Sequence, residues 1–141
     1  MLLVDGTHLN DFKQEEIAYY RNTGVFPIMH VLGIRQDIID AHPWVPVNLY
    51  HAFNEAKAIA MKRMENPRIV PLAWYREAWE EQEEILGPDP WQYGLTEGNR
   101  AQLEMLVGFS HEQGLISRRI PLDELFVNVT QGRKRGDEFR I

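Results

Sequence analysis

The sequence predicts a helix-rich α/β protein with four or five helices and one or two strands. One long apolar run, residues 25–34, carries no charge apart from a titratable histidine, as is typical of a buried strand. Most of the chain after it has apolar residues at helical spacing. Asn66-Pro67 and Gly87-Pro88 punctuate those helical stretches, as helix-ending signals do.

Length and charge define the broad class. A chain of 141 residues is one domain by default. A hydrophobic fraction of 44% beside 26% charged residues is typical of a globular protein. The net charge is -6, and the basic residues cluster only at 133–135, so we expect no binding to nucleic acid. Because cysteine is absent, disulfide, thiolate and zinc–cysteine chemistry are excluded.

The sequence also gives expectations about membrane association and cellular compartment. No stretch approaches the roughly 20 apolar residues of a membrane span, so we expect no membrane partner. The first residues lack the basic and long apolar regions of a signal peptide. We therefore expect a cytoplasmic protein.

The first helix leads into the strand. Residues 1–8 suit an edge strand or a linker, and Asn10-Asp11 are good N-cap types before a helix over Phe12–Arg21. Along residues 25–34, apolar side chains would point to both faces of a strand. Such a strand belongs inside a sheet covered on both sides. The chain offers hardly any partner strands, which indicates that it is not a whole domain.

The later elements are helices. Residues 36–42 suit a turn or short helix, and Pro43 opens a long helix that stops before Asn66. Further helices are predicted over Leu72–Leu86, over Glu97–Gln113 and, briefly, over 121–126, followed by a tail at 127–141. Side chains expected to face inward on the long helix are Val45, Leu49, Ala52, Phe53, Ala56, Ile59, Ala60 and Met64. On the Glu97–Gln113 helix they are Leu103, Leu106, Val107 and Ser110.

Chemical motifs are scarce. The five histidines show no metal-ligand spacing, and Glu80–Glu84 is typical of a solvated helix face. No phosphate loop or nucleophile elbow is present. His30 is the distinctive group, because burial in an apolar strand would lower its pKa and keep it neutral for proton transfer. The structural alternative is a core histidine whose ring N–H donates to a backbone carbonyl.

Several motifs together resemble one family. The segment Tyr19–His30, with sequence YYRNTGVFPIMH, is similar to the TG-(I/V)-FPIMH segment of the 4,5-dihydroxyphthalate decarboxylases. The resemblance continues, in order, almost to Phe126. The further landmarks are His42-Pro43-Trp44-Val45, Leu49-Tyr50, Ala52-Phe53, Glu55-Ala56-Lys57, Trp91, Tyr93-Gly94, Asn99-Arg100, Ser110-His111-Glu112-Gln113-Gly114-Leu115 and Leu125-Phe126. FPIMH and SHEQGL are the most specific pieces.

The resemblance implies a fold and a place within it. Members of this family are similar to type II periplasmic binding proteins, which have two α/β lobes around a cleft, and they are about twice this length or more. Residues 1–126 would be the C-terminal segment of such a two-lobed domain, without its N-terminal part, and 127–141 would be a tail. The missing partner strands would belong to that N-terminal part.

The resemblance also implies a chemistry. The family activity is decarboxylation of a hydroxylated aromatic carboxylate without a cofactor, as in phthalate degradation. His30 would be the catalytic proton donor, Thr23 and Gly24 would lie at the cleft edge, and Arg35 would hold a substrate carboxylate; no residue is assigned to a metal. For Arg35 the alternative is an exposed residue at the end of a strand. Without the first lobe we expect no activity from this chain alone.

Two further hypotheses accompany this interpretation. A non-enzymatic solute-binding protein of an ABC transporter shares the same fold and is the alternative function. The exposed strand and the aromatic helices also predict a homo-oligomer, because unpaired strand edges and apolar patches associate.

Overall fold

The computed structural model describes residues 11–129, which contain six helices. They are α1 (Phe12–Thr23), α2 (Gln36–Ala41), α3 (Val45–Met64), α4 (Tyr75–Leu86), α5 (Glu97–Glu112) and α6 (Leu122–Leu125). These confirm the helix-rich prediction, and α2 is the stretch that the sequence left between turn and helix. The predicted edge strand or linker at 1–8 and most of the predicted tail lie outside the described residues.

The predicted strand at residues 25–34 is not seen. Over the described range, this segment forms neither helix nor strand, and no turn or bend interrupts it. Its apolar side chains are largely exposed: Met29 is 80% exposed, Val31 70% and Leu32 60%. A strand needs a neighbour to complete its ladder of hydrogen bonds. No other described segment supplies one, so a sequence suited to a buried strand lies uncovered.

The ends of α1 and α5 follow from local chemistry. The Asp11 carboxylate accepts a hydrogen bond from the Gln14 amide, and the Thr96 hydroxyl accepts one from the Asn99 amide. Both satisfy amides that have no partner in the first turn of a helix. Gly24 ends α1 with φ 67°, and its amide donates to the Tyr20 carbonyl at 2.7 Å. This left-handed position favours glycine.

The apolar core of the described residues is small. Its buried hydrophobic side chains are Val47, Leu103 and Leu122, on α3, α5 and α6. Helix α2 packs on α3, and α5 packs on α6. The predicted inward position of Leu103 is confirmed. Leu106 was also predicted to face inward, but it is exposed.

The prediction of which residues of α3 face inward is wrong for most of them. Phe53 and Ile59 are exposed, as are the alanines of the predicted stripe. A different face, which carries Tyr50 and Lys57, contacts the loop after α4. Residues seven apart lie on the same side of a helix. Contact with the loop therefore decided which side of α3 is covered.

Polar contacts join the helices where apolar contacts are few. The Lys13 ammonium on α1 pairs with the Glu81 carboxylate on α4. The Tyr75 hydroxyl at the start of α4 donates to the Met64 carbonyl at the end of α3, at 2.9 Å. None of the helices within residues 11–129 is long and apolar enough to cross a membrane.

The Arg118–Glu124 contact gives a prediction about pH. Hydrogen bonding from the Arg118 guanidinium lowers the pKa of Glu124, and the same contact raises the pKa of Arg118. A carboxyl whose pKa is lowered in the folded state stabilises it above the unfolded pKa, and this contribution is lost as pH falls through the folded value. We expect Arg118→Gln to raise the pKa of Glu124, as measured by ¹³C NMR titration. Arg63→Gln is the control and should leave it unchanged; equal midpoints in both variants would contradict the prediction.

Two glycines near the start of α5 give a matched pair of variants. Gly94 has φ 83°, and a Cβ added there would lie 2.9 Å from Cε2 of Tyr50. Gly98 lies within α5, and a Cβ there would meet no atom within 4 Å. We expect Gly94→Ala to lower the free energy of unfolding by more than about 1 kcal/mol, since alanine is strained at positive φ. Gly98→Ala should raise it by roughly 0.5–1 kcal/mol.

Urea unfolding followed by circular dichroism measures both changes. Similar midpoints for the two variants would mean that the close approach of Gly94 to Tyr50 does not form in solution.

Candidate functional site

A cavity of about 190 Å³ lies where three stretches of chain meet. The end of α1 and the residues after it contribute Tyr20, Gly24 and Phe26. The loop after α4 contributes Asp89, and the first turns of α5 contribute Asn99 and Gln102. Its walls therefore combine aromatic rings with carboxylate and amide groups. The lining surface is mainly polar, and the volume is smaller than the roughly 300–1,000 Å³ of typical ligand pockets.

Two acceptor atoms of this cavity lack partners. Oδ1 of Asp89 and Oε1 of Gln102 are buried, and neither accepts a hydrogen bond from any described residue. Both residues line the cavity. A buried acceptor without a donor costs free energy, so native structures usually satisfy such atoms with protein, water or ligand.

Lys57 fixes the position of Asp89. Its ammonium lies 2.6 Å from Oδ2 of Asp89 and donates to the Trp91 carbonyl at 2.9 Å. The same nitrogen lies 4.8 Å from the centre of the Tyr93 ring, within range of a cation–π contact. The Lys57 side chain is only 15% exposed. One long side chain of α3 thus holds the loop that forms one wall of the cavity.

Asn99 fastens the same loop to α5. Its side-chain amide donates to the carbonyls of Gln92 and Gly94, each at 2.8 Å. The Phe26 and Trp91 rings meet edge to face, with centroids 6.1 Å apart. The loop is therefore held from three sides, by α3, by α5 and by the segment after α1.

Of the predicted site residues, Gly24 alone lines the cavity. Thr23 is adjacent, but its hydroxyl is engaged in the end of α1: it donates to the Tyr19 carbonyl at 2.7 Å and accepts from the Val25 amide at 3.2 Å. These two contacts explain why a Thr-Gly pair ends this helix.

His30 and Arg35 lie on or beside the uncovered segment 25–34, away from the cavity lining. His30 is exposed, so the burial that the sequence predicted for it is not seen. The Arg35 guanidinium donates to the Asp37 carboxylate through both Nε and Nη2. This two-pronged contact is the geometry with which arginine also holds a substrate carboxylate. The structure does not bring the four predicted residues into one cluster.

Three residues of or beside the cavity, Asp89, Lys57 and Gln102, were not predicted from the sequence as site residues. Asp89 stands between two prolines, which reads as a turn, and Lys57 stands within an alanine-rich helical stretch. Lys57 gave no usable signal, because the sequence does not show which face of α3 packs against a loop. Gln102 gave no signal, since one polar residue in an amphipathic helix is ordinary.

The Glu80–Glu84 stretch, which was predicted to be a solvated helix face, contributes to an open acidic surface on α4. Glu77, Glu80, Glu81 and Glu84 of α4 line a shallow hollow together with Trp74. No group of three or more His, Asp or Glu side chains within residues 11–129 is arranged to hold a metal ion.

Comparison with known proteins gives one informative similarity. No protein-family model matches the chain. It is 34% identical over 118 residues to 4,5-dihydroxyphthalate decarboxylase of Comamonas testosteroni, and the match covers 82% of this chain but 36% of that protein. The chain thus spans about a third of the length of its relative. This similarity supports the relationship to the 4,5-dihydroxyphthalate decarboxylases that the motifs in Tyr19–His30 and Ser110–Leu115 predict.

Proposed function

We propose that this chain is part of a decarboxylase-like protein acting on a hydroxylated aromatic carboxylate without a cofactor. The observation that carries the proposal is the 34% identity to a protein named 4,5-dihydroxyphthalate decarboxylase. The described helices are consistent with a segment of such a protein.

The chemistry needs few protein groups. A ring hydroxyl ortho or para to the leaving carboxylate supplies electron density to the ring. A proton donor then adds H⁺ to the ring carbon that bears the carboxylate. The C–C bond breaks, its electron pair returns to the ring, and CO₂ leaves. In this proposal His30 is the proton donor, and Arg35 holds a second carboxylate after exchanging it for Asp37. Thr23 and Gly24 form the edge of the cleft.

The proposal requires more polypeptide than the described residues contain. The chain spans 36% of the relative. The uncovered segment 25–34 has the sequence of an interior strand, but no described strand lies beside it. We propose that it enters the sheet of a type II binding-protein-like fold whose other strands belong to a part equivalent to the rest of the relative. His30 would reach the reacting ring only in that assembly.

Release of CO₂ from 4,5-dihydroxyphthalate tests the function. The protein to assay is the full-length gene product that contains this segment. We expect turnover there, and a loss of at least about 100-fold in the His30→Ala variant, since positioned proton transfer contributes roughly that much.

His111→Ala is the matched control, because His111 is an exposed histidine at the end of α5. It should retain full turnover, and circular dichroism should show both variants folded. Absence of turnover, together with thermal stabilisation by another small anion, would overturn the proposed enzymatic function. It would favour the alternative, a solute-binding protein of an ABC transporter. Equal losses in both histidine variants would overturn the role of His30.

We also propose that the isolated chain self-associates through segment 25–34 and the aromatic side chains exposed on its helices. Met29, Val31 and Leu32 expose apolar surface on a stretch without backbone pairing, which is the situation that favours strand-to-strand association.

Sedimentation velocity at micromolar concentration tests the self-association. We expect a dimer or larger species, and a shift to monomer when Met29→Lys and Val31→Lys are combined, because charges on a strand edge oppose pairing. The control combines Gln113→Lys with Ser117→Lys, two exposed positions near the end of α5. A monomeric parent chain would contradict this proposal.

A further inference from the structure

We infer that Lys57 is a positioning residue for segment 25–34 and that it acts through Trp91. The Lys57 ammonium holds the backbone of Trp91, and the Trp91 ring holds Phe26 at the start of the segment. Lys57 thereby sets where the chain begins its path toward His30. The position of the segment follows from contacts among the described residues, whereas the consequence for His30 rests on the proposed function.

Lys57 is engaged by the loop after α4 on every side of its ammonium. A lysine ammonium carries three N–H donors and no acceptor. That of Lys57 donates to Oδ2 of Asp89 at 2.6 Å and to the Trp91 carbonyl at 2.9 Å, and it lies 4.8 Å from the centre of the Tyr93 ring. With only 15% of its side chain exposed, Lys57 acts as an internal support of this loop.

The two polar supports of the loop act on different residues of it. Lys57 holds Asp89 and the Trp91 carbonyl, whereas the Asn99 side chain donates to the carbonyls of two later loop residues. Asn99 therefore keeps the end of the loop close to α5, and the position of Trp91 depends more directly on Lys57.

Trp91 connects Lys57 to segment 25–34. Its carbonyl accepts the Lys57 hydrogen bond, and its ring meets the Phe26 ring at an interplanar angle of 77° with centroids 6.1 Å apart. Aromatic pairs prefer this edge-to-face arrangement. Phe26 is partly buried, whereas Met29 and Val31, further along, are 80% and 70% exposed. The segment is thus attached at Phe26 and uncovered beyond it.

The other end of the segment is also attached to α3. The Arg35 carbonyl accepts hydrogen bonds from the Ile38 and Ile39 amides in the first turn of α2, and α2 packs on α3. No helix, turn or bend lies between Phe26 and Arg35. The path of this stretch is therefore fixed by its two attachments. A shift of the first one moves the residues between them, His30 included.

Backbone order in segment 25–34 tests the inference on the full 141-residue chain. Parent and variants all carry Met29→Lys and Val31→Lys, so that self-association does not itself order the segment. We expect Lys57→Met to lower the order parameters of amides in residues 25–28 from about 0.85 to below about 0.6, as measured by ¹⁵N NMR relaxation. Methionine keeps the apolar stem and removes the three donors.

Lys62→Met is the matched control. Lys62 lies on the same helix and also forms an ion pair, with Glu65 at 3.8 Å, but its side chain is 81% exposed. The control should leave the order of residues 25–28 unchanged, since this pair contacts no part of the loop after α4.

Two substitutions of Trp91 test the connection. Trp91→Leu removes the aromatic ring and should lower the order parameters of residues 25–28 as far as Lys57→Met does. Combining the two should lower them no further, because both break the same connection, whereas independent effects would add. Trp91→Phe keeps a ring and should retain the order.

Kinetics in the full-length gene product test the consequence for His30. We expect Lys57→Met to lower kcat by about 10- to 100-fold with KM within about threefold, because misplacing a catalytic group acts on the chemical step. In a His30→Ala background, Lys57→Met should cost nothing further. Lys62→Met should retain full turnover.

Each result decides the inference. An order parameter below about 0.6 for Phe26 in the parent, unchanged order in a folded Lys57→Met variant, or additive losses with Trp91→Leu would overturn it. If Lys57→Met fails to fold, equal order in Trp91→Leu and Trp91→Phe would overturn it instead. Loss of order without any parental turnover would retain the positioning of the segment and reject the decarboxylase. Parental turnover that Lys57→Met leaves intact would retain the decarboxylase and reject the role of Lys57 toward His30.

Discussion

The contact between the Lys57 ammonium and the Asp89 carboxylate holds in place the loop after α4, which forms one wall of the cavity. It reaches from the middle of α3 to a loop 32 residues later in the chain. With Val47, Leu103 and Leu122 as the buried hydrophobic side chains of the described residues, apolar packing alone does little to place that loop. Removing either partner would leave a partly buried charge unpaired, which costs more than the pair itself contributes. Asn99 completes the attachment by joining the loop to α5.

The small core and the uncovered segment 25–34 have one physical origin. Apolar side chains on both faces of a strand stabilise a fold only when a sheet and its covering layers bury them. The described residues provide helices but no sheet. The relative is almost three times as long as the part matched. Within the described residues, the strand-like segment 25–34 therefore has no sheet to enter, and its apolar side chains stay largely exposed.

The cavity and the proposed catalytic residues lie in different parts of the described structure. The cavity is lined by residues between Tyr20 and Gln102, and two of them, Asp89 and Asn99, are held by hydrogen bonds to other described residues. His30 and Arg35 lie on or next to segment 25–34 and do not line the cavity. The cavity is thus formed within the described residues, whereas the proton transfer proposed for His30 would depend on what covers residues 25–34.

Local sequence determined most helices, and tertiary contacts decided the rest. Asp11, Thr96 and Gly24 set helix ends through hydrogen bonds within four residues, so the sequence alone located α1 and the start of α5. Motifs likewise predicted the similarity to a protein named 4,5-dihydroxyphthalate decarboxylase. The sequence could not show whether residues 25–34 pair, because pairing depends on a distant strand. Nor could it show which face of α3 is covered or that Asp89 and Gln102 meet at one cavity. Those features arise from contacts between residues far apart in the chain, which spacing along a helix or strand does not encode.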